Sequence, residues 1–337
     1  MADHHRGECL GCRVRALHLM RLRHSYGPPV AASGSPLFPF TGGTLPVGAT
    51  LTRASTGWYF DSAGVLQSAA NDVARFTYDP ATLALQGLLV EPARTNSIRN
   101  NTMVGANAPS TLPTNWIITQ NAGLTTDVVG TGSASGLDYI DIRFSGTPSA
   151  TLYRVALEAS NGIAALSGQT WTESAYIAIA NGGLTNITKV NFTMVERTAG
   201  GASVAFQGAA DYKASLSSSF YRASFVQTLA GGGTVAFVSP EFSFGLTVGL
   251  AVDVTFRIAL PPMEQGSGAS SPIKTSSAAV ARAADVLTLA LADGTYNIDI
   301  TRASGVTNVV GAVVSGGAYT VPTDLSPLQS VAAKRTA

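Results

Sequence analysis

The sequence predicts an all-β protein organised around a jelly-roll β-sandwich. Three observations carry that expectation. Apolar and polar residues alternate in short runs along most of the chain, the period of strands. Turn-forming clusters separate those runs, drawn from 35 glycines and 16 prolines in 337 residues. No long amphipathic helix is visible; residues 156–166 hold at most one helical turn. Hydrophobic residues make up 45% of the chain, enough for a sizeable core.

Charge narrows the partners. The formal net charge is +1, and Lys189, Lys213, Lys274 and Lys334 are the only lysines. No basic stripe exists to track a phosphate backbone, so nucleic acid is not an expected partner. No apolar run reaches the ~18 residues of a membrane helix, so membrane insertion is not expected either.

The chain divides into four stretches. Residues 1–50 read as an extended N-terminal arm. The part before residue 25 holds every histidine (His4, His5, His18, His24) and both cysteines (Cys9, Cys12). Arginines interrupt its apolar residues, which argues against a secretory signal. Residues 13–23 have the makings of a short basic helix. The Cys9–Cys12 pair with His18 and His24 has zinc-ligand chemistry, but its spacing omits the ~12 residues of a finger. Residues 25–50 carry five prolines and five glycines, which forbid a helix and predict an extended segment.

Residues 51–96 read as a β-hairpin collar, LTRASTGWYFDSAGVLQSAANDVARFTYDPATLALQGLLVEPARTN. Trp58 to Phe60, then Asp61 to Gly64, then Val65 and Leu66 predict a hairpin with Gly64 in the left-handed position. Residues 74–78 and 83–91 predict two further strands around a turn at Asp79 and Pro80. In a chain with only 12% charged residues, this stretch concentrates both signs. Arg53, Arg75 and Arg94 are expected to form structural ion pairs with Asp61, Asp79, Glu91 or Asp285.

Residues 97–275 read as the sandwich. Strands are expected at 115–119, 139–144, 150–157, 170–180, 187–196, 204–207, 221–227, 234–238 and 251–260. Residues 276–337 follow as a connector and a small C-terminal β domain, with strands at 286–291, 295–301, 306–314 and 318–321. The pentapeptide at 51–55, LTRAS, returns as ITRAS at 300–304.

Three blocks give the chain a family look. They are the collar sequence, GQTWTESAYIAIANG at 168–182, and MEQGSGASSPIKTSSAAVARAAD at 263–285. Together they resemble bacteriophage and prophage virion structural proteins of tail-fibre, head-fibre or spike type. That resemblance implies a carbohydrate-binding-like jelly roll, residence in the virion after assembly in the host bacterial cytoplasm, and other proteins of head, neck or tail as partners. It also implies a homo-oligomer, with a trimer favoured. Pro92 and Glu173 depart from the family pattern.

Three classes of chemistry are open to these residues. No histidine lies in the fold, which excludes Ser-His-Asp and Cys-His catalysis there. Glycoside hydrolysis needs two paired carboxylates, and nothing in the sequence pairs them. Nucleotide-binding and metalloprotease motifs are absent, so no enzyme activity, cofactor or metal is expected. Binding of a host cell-surface polysaccharide is the second class. Trp116, Tyr139, Tyr153 and Tyr176 are the candidate stacking rings, and Tyr176 has the parity of an outward-facing residue, opposite to Trp171. The third class is a purely architectural subunit. The expected function is thus a phage fibre, spike or decoration subunit, for host attachment or for assembly alone.

Overall fold

Antiparallel pairing builds a sandwich of two six-stranded sheets. The computed structural model describes residues 35–336, so Cys9, Cys12, His18, His24 and the basic 13–23 stretch lie outside it. The first sheet runs in the order Tyr221–Thr228, Thr170–Gly182, Val252–Ala259, Leu137–Gly146, Thr125–Ala134, with Met263–Gln265 also paired to Thr170–Gly182. The second runs Ser203–Gly208, Ile187–Arg197, Phe237–Leu246, Leu152–Ala156, Ile117–Gln120, with Ile163–Ala164 also on Phe237–Leu246. Alternate residues of each strand face inward. Phe144, Phe242, Phe244 and Phe256 meet there as one aromatic cluster. Tyr153 stacks on Phe244 with ring centroids 5.1 Å apart. Such ring pairs add about 0.5–1.5 kcal/mol each beyond the area they bury.

Two sandwich strands escape a reading by alternation. Thr125–Ala134 is glycine-rich, and Val128 is its fully buried residue. Its order comes from the ladder with Leu137–Gly146. Phe237–Leu246 contains Pro240, which reads as a strand breaker, yet it lies centrally between Ile187–Arg197 and Leu152–Ala156. Proline lacks an N–H, and here none is needed. The pairing with Leu152–Ala156 ends at Ala156 opposite Glu241, and beyond it the Pro240 carbonyl accepts from Leu157 N at 2.9 Å.

The C-terminal β unit is larger than the sequence suggests, because earlier residues join it. Its main sheet is ordered Gly305–Val314, Gly294–Arg302, Leu328–Arg335, Leu85–Leu88, Phe76–Tyr78, with Leu37–Pro39 also on Leu328–Arg335. A second sheet joins Ala49–Thr52, Val286–Ala290 and Ala318–Val321. So residues 36–50, expected as an extended arm, are partly strand. Phe38, Phe40 and Leu51 are buried with Leu287, Ile298 and Val331. A sheet this small gains the apolar cover it needs from them.

The collar stretch likewise splits between two cores. Its hairpin, Gly57–Phe60 with Leu66–Ala69, lies on the outer face of the first sandwich sheet, where Phe60 and Leu66 bury Leu137, Tyr176 and Ala259. Phe76, Leu88 and Val90 belong to the C-terminal core.

A buried charge cluster ties these parts together. Asp285 Oδ1 meets Arg53 Nη1 at 3.1 Å, and Oδ2 meets Arg75 Nη2 at 2.6 Å. Glu91 Oε2 lies 2.8 Å from Arg75 and 3.5 Å from Arg282. The Glu91 N–H donates to Asp285 Oδ2, the Asp285 N–H donates to the Glu91 carbonyl, and two bonds from Ser271 to the Glu91 carboxylate complete it. Burial works to raise the Glu91 carboxyl, but Arg282, Arg75 and Ser271 outweigh it and hold it below the usual range. Gly57 makes room, since a Cβ there would lie 2.8 Å from Arg75 Cδ.

The rest of the expected ion-pair set has other roles. Asp61 and Asp79 are turn residues whose carboxylates accept from backbone N–H groups at 63, 65, 81 and 82. A short side chain at the head of a turn reaches its own backbone before it reaches a distant arginine. Arg94 has no carboxylate in ion-pair range among the described residues; its Nη1 donates to the Ala93 carbonyl at 3.3 Å.

Candidate functional site

The two outer faces of the sandwich differ. The first sheet is capped by the collar hairpin. Over the second, no other sheet is stacked among the described residues. Its outward positions nevertheless hold buried polar groups: Asn191, Thr193, Ser239, Glu241 and Ser243. They alternate with Phe192, Val238, Phe242 and Phe244, which point into the core.

Strand register sets the geometry. Thr193 lies opposite Glu241 and Asn191 opposite Ser243. The Ser243 hydroxyl bonds Thr193 Oγ1 at 2.9 Å and Asn191 Oδ1 at 3.0 Å. Glu241 sits between two guanidiniums, Arg154 Nε and Arg197 Nη2, each at 3.7 Å. Neither distance is a hydrogen bond. Burial outweighs Arg154, a hydrogen bond from the Thr119 side chain and Arg197, and pushes the Glu241 carboxyl above its ordinary range. Arg154 arches across the face to stack on Phe206, 4.7 Å from its ring centroid, while Phe206 remains 53% exposed. Gly208, beside Asn191 and Thr193, leaves the end of this strip open.

This face also collects unmet hydrogen-bonding capacity. Arg154 Nε, Arg197 Nε, Ser239 Oγ and Glu241 Oε2 are all buried without a partner. An unmet buried polar atom costs about 1–3 kcal/mol. What reaches the surface beside them is the exposed Phe206 ring and the partly exposed Arg154 and Arg197 side chains, an aromatic face for the C–H side of a hydroxyl-rich ligand flanked by donors for its hydroxyls. The strip carries one carboxylate, bracketed by arginines, whereas glycoside hydrolysis uses two. The arrangement favours binding over cleavage.

The four rings singled out from sequence are not placed to do this. Trp116 is buried and donates Nε1–H to the Asn100 carbonyl at 3.0 Å. Tyr153 is fully buried, its hydroxyl bonded to that of Thr126. Tyr176 does face out of the first sheet, but the collar hairpin covers it and Phe60 packs edge-on at 6.0 Å. Tyr139 is half-buried with the Arg257 guanidinium 3.8 Å over its ring. Apolar bulk needed to fill two cores explains three of them; cation–π contact takes a face of the fourth. Around Tyr139, Asp141 and Arg257 satisfy each other bidentately, as do Arg143 and Asp253.

No family model matches this chain, and no curated protein matches it. Similar solved structures exist. One is described as "CBM4 structure and function", 17% identical, covering 50% of this chain and 99% of its own, at TM-score 0.31. Another is the CBM22-1 xylan-binding domain of Paenibacillus barcinonensis Xyn10C, 10% identical over 52% of this chain and 94% of its own, at TM-score 0.33. A third is the tripod from the baseplate of bacteriophage Tuc2009, 11% identical over 86% of this chain and 98% of its own, at TM-score 0.35. At such scores the ligand must be argued from this chain's own residues.

Proposed function

We propose that this protein is a virion structural subunit of fibre, spike or decoration type that holds a host-surface glycan on the outer face of its second sandwich sheet. The observation that supports the binding half is the Arg154, Arg197, Glu241 and Phe206 group, with unmet polar atoms beside an exposed ring. A neutral or mixed polysaccharide lies across the strip, stacked on Phe206 and bonded by the two partly exposed arginines, which the buried Glu241 holds in place.

The structural half rests on the collar sequence and on an open sheet edge. Gly305–Val314 is the edge strand of the C-terminal sheet, with Val310 79% and Val313 77% exposed. A long apolar edge is a template for pairing with another chain. In this reading a homotrimer forms through that unit, and the segment before residue 36 attaches to the particle. Host-envelope glycan arrays and electron microscopy of labelled particles test the two halves separately. Glycan retention and particle location are expected. A monomer absent from particles, or active in cutting polysaccharide, contradicts the proposal.

A further inference from the structure

A second cavity lies where the end of the collar stretch meets the sandwich edge, distinct from the outer strip. It is an open cleft of about 540 Å³ lined by Arg94, Thr95, Thr170, Trp171, Gln265 and Arg282 among others. No carboxylate lines it. Arg282 is committed to Glu91, Asp285 and the Pro92 carbonyl. Arg94 is not committed: its Nε is buried without a partner, and its one hydrogen bond is the 3.3 Å contact to the Ala93 carbonyl. Other arginines of the sandwich and charge cluster, such as Arg99, Arg143 and Arg257, hold a carboxylate at 2.6–2.8 Å.

The seat of Arg94 is built. Its guanidinium lies on the backbone of Gly266, where a Cβ would come within 2.5 Å of Nη2. Gly266 has φ +136°, a conformation that favours glycine. Its backbone is fixed by N–H donation to the Thr170 carbonyl at 2.8 Å and by acceptance from Thr172 Oγ1 at 2.7 Å. A fixed planar fork without a carboxylate is matched by one carboxylate from outside. Thr95, Ser97, Thr170 and Gln265 supply neutral polar groups suited to hydroxyls, and Ala93, Trp171 and Ala281 supply apolar surface.

We infer that this cavity binds an acidic sugar, a hydroxyl-bearing ring with one carboxylate, through Arg94. Arg94 takes the carboxylate; Thr95, Thr170 and Gln265 take hydroxyls. The inference does not rest on the outer strip, and either site can fail without the other.

Calorimetric titration of the full chain with glucuronic acid and N-acetylneuraminic acid tests it, with glucose and acetate as controls. At least one acidic sugar is expected to bind about tenfold or more tighter than either control, and Arg94→Gln is expected to lose about tenfold or more of that affinity. Thr95→Glu, at an exposed position on the rim, supplies a competing carboxylate and gives the same loss; it decides the matter if Arg94→Gln does not fold. Phe206→Ala, at the other site, leaves acidic-sugar binding unchanged. No binding of either acidic sugar overturns the inference. So does acetate binding as tightly, which marks a bare anion seat, or undiminished affinity in both variants.

Discussion

Replacing Asp285 by Asn tests whether the buried charge cluster holds the collar, the sandwich exit and the C-terminal unit together. The carboxylate meets Arg53 at 3.1 Å, Arg75 at 2.6 Å and the Glu91 N–H at 2.8 Å, all out of solvent. Asparagine keeps the shape but removes the charge. Of the three buried guanidiniums, Arg75 and Arg282 then keep Glu91 in ion-pair range, while Arg53 loses its carboxylate. Breaking a buried ion pair from one side costs about 3–5 kcal/mol, because the stranded charge stays desolvated. Arg53 retains carbonyl partners at Ser55, Ala69 and Ala70, which limits its share of the loss. The assay is urea unfolding followed by tryptophan fluorescence. Trp58 reports the collar, since its carbonyl accepts from Arg75, while Trp116 and Trp171 report the sandwich core. The expected loss is about 3–5 kcal/mol, with the Trp58 signal changing first. A loss below about 1 kcal/mol, the worth of an exposed pair, refutes the reasoning.

Two further predictions concern stability. Glu173 is buried among Trp171, Ala175 and Ile177 with neither carboxyl oxygen bonded, and burial, then Glu241, raises it well above its usual value. Below the unfolded-state value of about 4.3 both states are protonated and nothing is lost. As pH rises the unfolded chain sheds its proton first, so stability falls until the folded value is passed. Glu173→Met therefore gains about 1–3 kcal/mol at pH 7 and much less at pH 4, read from thermal melts at both; equal changes at the two pH values count against this. Gly87→Ala meets φ +129° and places a Cβ 2.2 Å from the Leu328 carbonyl oxygen, where Leu85–Leu88 joins the terminal strand. It costs about 1–3 kcal/mol and speeds amide exchange across Leu328–Arg335; protection equal to the parent's would contradict it.

Local patterning was legible and long-range cover was not. Thr170–Gly182 and Ile187–Arg197 are plain in the sequence because their inward residues alternate over many positions. Leu328–Arg335 is not, although it is central in its sheet: Pro322 and Pro327 precede it, Lys334 and Arg335 end it, and its buried residues are Leu328, Val331 and Ala333. Tyr176 shows the limit most clearly. Alternation placed it correctly on the outer face of its sheet, but no strand pattern says that a hairpin more than a hundred residues earlier covers that face. The charge of the collar points to arginine–carboxylate pairing, and Asp285, 232 residues from Arg53, is among the partners the sequence offers; what the sequence does not separate is Asp285 and Glu91 from the turn residues Asp61 and Asp79. The outer strip left a trace too. Ser239, Glu241 and Ser243 alternate with Phe242 and Phe244, a signal hidden once Pro240 is read as the end of a strand.

Hydrogen exchange of the protein with and without a bound host-envelope polysaccharide tests the central claim most directly, with Phe206→Ala and Glu241→Gln measured alongside. Protection is expected across Ile187–Arg197, Ser203–Gly208 and Phe237–Leu246, and both variants should lose it. Protection confined to other strands, or binding that survives both substitutions, contradicts the assignment of this face.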